Sequence, residues 1–200
     1  MSASRETIDH KIVIMRVGAV DGNFKNSVLD LITEVNGTTV LQVPTWGYNR
    51  CKFCGFLSVS MMCHDEFMHD TNNIVVMFKP KRTKTHDGSL TGMATISNVR
   101  ERPEELIPIS TTDDELGWTR STGDIGWDTL FDIDKYWDLT VFNDNVFSDD
   151  AMFASNGKRL AQQTAHQIYS DGTRSALHEY LNYYVNFIVK NIKPIYTKLV

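Results

Sequence analysis

The sequence predicts an α/β domain: a mixed twisted sheet flanked by helices, with a helical C-terminus. Three observations predict it. Short β-branched runs, at 11–17 and 74–78, have the length and composition of buried strands. Apolar residues recur at helical spacing at Phe24, Val28, Leu31, Ile32 and Val35, and again at Leu177, Leu181, Tyr184, Ile188 and Ile192. A length of 200 residues with 42% hydrophobic content fits one domain with a sizeable core.

In chain order, the first unit reads strand, helix, strand. KIVIMRV at 11–17 is the strand, Asp21-Gly22-Asn23 a turn, and 24–35 an amphipathic helix. Asn36-Gly37 ends that helix, since Gly readily takes the left-handed conformation that closes one. The next strand is TTVLQV at 38–43. Further strands are expected at 74–78 and 93–97, joined by the polar KPKRTKTHDG segment as a hairpin tip, and Pro103 and Pro108 flank an edge strand. From 124 the chain reads as an acidic, aromatic loop region. A helix carrying Leu160, Ala161, Thr164, Ala165 and Ile168 follows, capped by Ser155 or Asn156. Asp171-Gly172 breaks it, and a last helix over 176–192 is ended by Pro194. Residues 172–200 then form a helical extension of a single domain spanning 1–200.

Composition narrows the function classes. A net charge of −5 opposes a nucleic-acid-coating role, because neutralising phosphates takes clustered Lys and Arg. No apolar run approaches the roughly 20 residues of a spanning helix, and MSASRETIDHK lacks the apolar core of a signal peptide. The three cysteines all fall between Cys51 and Cys63, an odd number that makes a poor disulfide framework. These features together predict a cytoplasmic protein with no membrane partner.

Cys51-Lys52-Phe53-Cys54 is followed by Cys63-His64 and His69. Thiolate and imidazole are preferred zinc ligands, and a CxxC turn presents two sulfurs to one ion, so Cys51, Cys54, Cys63, His64 and His69 are candidate ligands of a structural Zn²⁺. The other reading is small buried thiols beside surface histidines. His64-Asp65-Glu66 spells the H-x-E of zinc deaminases, but in those the CxxC comes after it and here it comes before.

The most specific local signal is Gly126-Trp127-Asp128-Thr129-Leu130-Phe131, followed by Thr140-Val141-Phe142 and then Ser155-Asn156-Gly157-Lys158-Arg159. With the N-terminal strand running into Asp21-Gly22-Asn23-Phe24-Lys25, this resembles the ITP/XTP pyrophosphatase family. That family carries G-[WYF]-D-P-x-F, then T-[FY]-A-E, then K-N-x-x-S-H-R at a helix start, after an N-terminal [ST]-G-N-x-x-K turn. The resemblance implies Mg²⁺-assisted hydrolysis of a non-canonical purine nucleoside triphosphate to monophosphate and pyrophosphate. It places Asn23 and Lys25 on the phosphates and Trp127, Asp128, Ser155 and Asn156 around the base. The family's Pro falls on Thr129, its His-Arg pair on Asn156 and Gly157, and its acidic D-[ST]-G motif has no counterpart mid-chain. These departures motivate a second reading, a binding or structural protein without catalysis, stabilised by zinc through the Cys51–His69 cluster.

Two other constellations complete the inventory. Eight aspartates lie between Asp124 and Asp150, hard oxygen ligands suited to Mg²⁺ or Ca²⁺, though with no EF-hand register; a solvated acidic loop is the plainer reading. Lys79, Lys81, Arg82 and Lys84 form a basic cluster that either decorates a hairpin tip or guides a triphosphate. The aromatic-rich last helix offers a face for a homodimer.

Overall fold

The computed structural model describes residues 7–17, 32, 45–48, 72–80, 87–101, 129–142, 145–156, 167–169 and 176–199. Seven strands and two helices are laid out among them. The strands are β1 (Lys11–Val17), β2 (Thr45–Tyr48), β3 (Ile74–Pro80), β4 (Gly92–Glu101), β5 (Thr129–Asp138), β6 (Gln167–Tyr169) and β7 (Tyr196–Thr197). The helices are α1 (Asp149–Asn156) and α2 (Ala176–Asn191).

All seven strands join one mixed sheet in the order β2-β5-β4-β3-β1-β6, with β7 pairing beside β5. Only β1 and β3 pair in parallel, from Lys11 opposite Ile74 to Val17 opposite Pro80; the other pairs are antiparallel. Both strands of the parallel pair are apolar on both faces, as a strand covered on both sides must be. Val13, Met15, Ile74, Val76 and Phe78 enter one hydrophobic cluster, while Ile12, Ile14, Val75 and Met77 enter the other. The mixed sheet and the helix near the C-terminus agree with the α/β expectation.

The first face also takes Ile96, Phe131, Ile133, Tyr136 and the buried, helical Ile32. The rest of the helix expected over 24–35, and the strand expected at 38–43, lie outside the described residues. The second face is covered by α2. Leu177, Leu181, Val185 and Ile188 are fully buried there, with Tyr184 and Ile192 packed at the margin. That is the predicted stripe with Val185 added, and burying four such side chains supplies about 6–12 kcal/mol of hydrophobic free energy. Within the segment 176–197, α2 thus joins the core and β7 joins the sheet.

Two corrections concern local structure. The stretch expected to be an acidic loop is, from Thr129 to Asp138, the ten-residue strand β5. Its pattern was obscured by two irregularities where β5 meets β4, between Thr95 and Ile96 and between Ser97 and Arg100. Ile168, expected on a helix, lies in strand β6 opposite Val13. The segment 157–166, where a helix opened by Ser155 or Asn156 was expected, lies outside the described residues; Ser155 and Asn156 themselves are the last two residues of α1, which runs from Asp149 to Asn156. Its N-cap is Ser148, whose Oγ accepts from the Ala151 N–H at 3.1 Å. Lys79 at the end of β3 pairs with Asp149 in the first turn of α1. This fixes α1 against the sheet and puts a carboxylate at the positive end of the helix dipole.

Candidate functional site

Two polar clusters and a pocket stand out among the described residues. The first cluster grows out of the β4–β5 irregularity. Asn98 takes a positive φ of 48°, a conformation that Asn tolerates better than most residues. Its amide donates to Asp132 Oδ2 at 2.9 Å, and the neighbouring Ser97 hydroxyl donates to Asp134 Oδ1 at 2.5 Å. Lys198, just past β7, donates its backbone N–H to the Asp134 carbonyl at 2.7 Å. Its Nζ lies 3.7 Å from Asp132 Oδ2 and 3.9 Å from Asp134 Oδ1. Burial, with Asp134 and Asp132 nearby, pushes the Tyr196 phenol above its ordinary range. Each of these carboxylates is met by donors of the chain itself, so the cluster locks β7 onto the sheet.

The second cluster ties the N-terminal strap to α2. His178, buried in the helix, donates from Nε2 to the His10 carbonyl at 2.9 Å, which assigns the proton to that nitrogen; Asp9 Oδ1 stands 3.4 Å away. Asn182 accepts on Oδ1 from the His10 backbone N–H at 3.1 Å and from its Nδ1 at 3.2 Å. Asn182 and Asn186 both donate to the Ile8 carbonyl, and Asn186 accepts from the Ile8 N–H. Burial holds the His10 imidazole below its ordinary pKa, against the opposing effects of the Asn182 hydrogen bond and Asp9. Backbone groups of Ile8 and His10, ahead of β1, are satisfied here by two asparagines and a histidine of one helix.

The pocket, about 150 Å³, is lined by Ser89, Thr91, Leu139, Thr140, Phe142 and Ser148, among others. Sites for drug-sized ligands run to roughly 300–1,000 Å³, so this one suits a few waters or a small solute rather than a nucleotide.

Of the site residues expected from the sequence, Asn23, Lys25, Trp127 and Asp128 lie outside the described residues, as do Cys51, Cys54, Cys63, His64 and His69. The backbone of Ser155 and Asn156 is described, and it places them at the end of α1. Among the described residues no group of three or more His, Cys, Asp or Glu is placed to hold a metal ion. From the acidic stretch, Asp132 and Asp134 belong to the β7 lock, and Asp138 accepts from the Thr140 N–H and hydroxyl in a local turn. Lys79 of the basic cluster is committed to Asp149. No described helix is long and apolar enough to cross a membrane.

Sequence reasoning missed the Ser97–Asn98–Asp132–Asp134–Lys198 cluster. The available signal was Ser-Asn at the end of a β-branched run facing alternating aspartates, but nothing in the sequence paired those two strands or brought Lys198 to them. No protein-family model, curated protein or solved structure matches this chain.

Proposed function

We propose that this chain is a non-catalytic binding or structural protein, in preference to a working nucleoside-triphosphate pyrophosphatase. The observation that carries this reading is the polarity of α1 at Ser155–Asn156. The resemblance calls for a Ser at a helix start, where N–H groups and the positive dipole end favour an oxo group or phosphate. Here Ser155 and Asn156 are the last two residues of α1, where the negative dipole end disfavours the same groups. The loss of the family's His-Arg pair at Asn156 and Gly157 points the same way.

The rival reading draws support from β5. Gly126-Trp127-Asp128 runs directly into that strand, and Phe131 at the end of the motif is fully buried, a firm anchor for the segment before it. Pyrophosphate release decides between the two. Purified protein supplied with ITP, XTP or ATP and either Mg²⁺ or Mn²⁺ is expected to release none above buffer. Release from ITP or XTP that falls on Asp128→Asn or Lys25→Ala would establish the pyrophosphatase instead.

A further inference from the structure

The outer face of α2 carries large apolar side chains that the fold leaves in solvent. Tyr183 is 66% exposed and Phe187 44% exposed, while the opposite face of the same helix is buried. They lie one turn apart, and the charged Glu179 and Lys190 bracket them, both exposed. At about 100° per residue, Glu179 and Lys190 sit within roughly 20° of one another around the axis and about three turns apart. Tyr183 and Phe187 fall within about 80° of Glu179, so one face of the helix reads acid, aromatic, aromatic, base. Ile8, 50% exposed, is held beside it by its hydrogen bonds to Asn182 and Asn186.

This order is complementary to its own reverse. We infer that α2 is the contact helix of a two-fold symmetric homodimer, packed antiparallel against α2 of a second copy of this chain. An axis between residues 184 and 185 sets Glu179 of each protomer opposite Lys190 of its partner. The same axis brings Tyr183 and Phe187 of the two copies together at the centre, where aromatic pairs favour edge-to-face or offset contact. A contact of this kind is isologous: one patch serves both sides, and both ion pairs form at once. Aromatic residues at the centre with charges on the rim is also the usual anatomy of an interface. The rim charges fix direction, since a parallel arrangement would set Glu179 against Glu179 and Lys190 against Lys190. The inference holds whether or not the chain turns over a nucleotide, and mass, not pyrophosphate, is its readout.

Sedimentation equilibrium on the full chain, up to about 1 mM, is expected to show a monomer–dimer equilibrium. Tyr183→Ser with Phe187→Ser should leave a monomer whose melting temperature is close to that of dilute parent protein, because both residues are exposed. Glu179→Lys alone and Lys190→Glu alone should each weaken dimerisation by about tenfold, replacing two attractions with two repulsions. The double exchange, Glu179→Lys with Lys190→Glu, should restore it, which nonspecific sticking would not do. A strict monomer across this range, including one that binds a different protein through the same seam, would overturn the inference. So would a dimer indifferent to Tyr183 and Phe187, or one that the charge exchange fails to restore.

Discussion

Trp137 donates its indole N–H to the Ile192 carbonyl across 2.9 Å, joining the end of β5 to the end of α2. The ring itself is buried among Met93, Leu139 and the α2 residues. Trp137→Phe keeps most of the packing and leaves that carbonyl without its donor, so it should cost about 1–3 kcal/mol. Trp137→Ala should cost about 3–5 kcal/mol through the cavity it opens. Urea denaturation followed by circular dichroism measures both, and a Trp137→Phe cost near zero would show that the hydrogen bond contributes nothing.

Gly92 is intolerant of any side chain. A Cβ there would run into the ring and hydroxyl of Tyr136, which lies over the glycine and is fully buried. Gly92→Ala should destabilise the protein by about 2–4 kcal/mol, since the ring cannot move without disturbing Phe78, 6.1 Å away between centroids. In a Tyr136→Ala background the same change should cost much less. Additive costs in this double-mutant cycle would remove the steric explanation.

Stability should fall as pH drops below neutrality, in part through His10. Burial lowers its folded pKa beneath the ordinary 6.5. The unfolded chain then binds more protons than the folded one between the two values. The contribution is fully present above 6.5 and is lost as pH falls through the folded pKa. Asp9 and His178 are the titratable groups that face it. Comparing melting temperatures from pH 7.5 to 5, the parent protein should lose more than His10→Gln does. Parallel curves would assign the acid sensitivity elsewhere.

The Lys79–Asp149 pair should behave as a part-buried ion pair, with side chains only 13% and 12% exposed. Asp149→Asn leaves Lys79 charged without its partner and should cost about 2–3 kcal/mol. Lys79→Met with Asp149→Leu should recover much of that loss. Thermal denaturation in low and high salt checks the assignment: the parent should respond weakly to salt, as screening of part-buried pairs is weak.

What the sequence revealed and what it hid have the same physical origin. β1, β3, β4 and α2 were legible because one rule governs each of them. The first three are β-branched runs covered on at least one face, and α2 shows an unbroken stripe from Leu177 to Ile192. β5 was hidden because Asp132 and Asp134 occupy positions that read as solvent, when they are held by Asn98, Ser97 and Lys198. The irregularity at Asp134 also shifts the alternation, so Phe131 and Ile133 share a face with Tyr136 instead of Lys135. α1 itself went unread: the sequence offered Ser155 as a cap residue, and Ser148, seven positions earlier, caps a helix that ends at Asn156. Residue type alone does not choose between two such serines. The strand at 167–169 is too short for any period to show, and Ile168 fitted a helical stripe equally well.

The pairing of β1 bears on how the chain is made. Its neighbours are β3 on one side and β6 on the other, and its approach from Ile8 to His10 is fastened by α2. β1 thus waits for β6 and α2, which are synthesised well after it. At roughly 5–20 residues per second, the interval between Val17 and Gln167 is about 8–30 s. Through that time an apolar KIVIMRV segment has at most one of its two edges covered. Codon changes that slow translation between Pro80 and Asn191 should therefore lower soluble yield without altering a single residue.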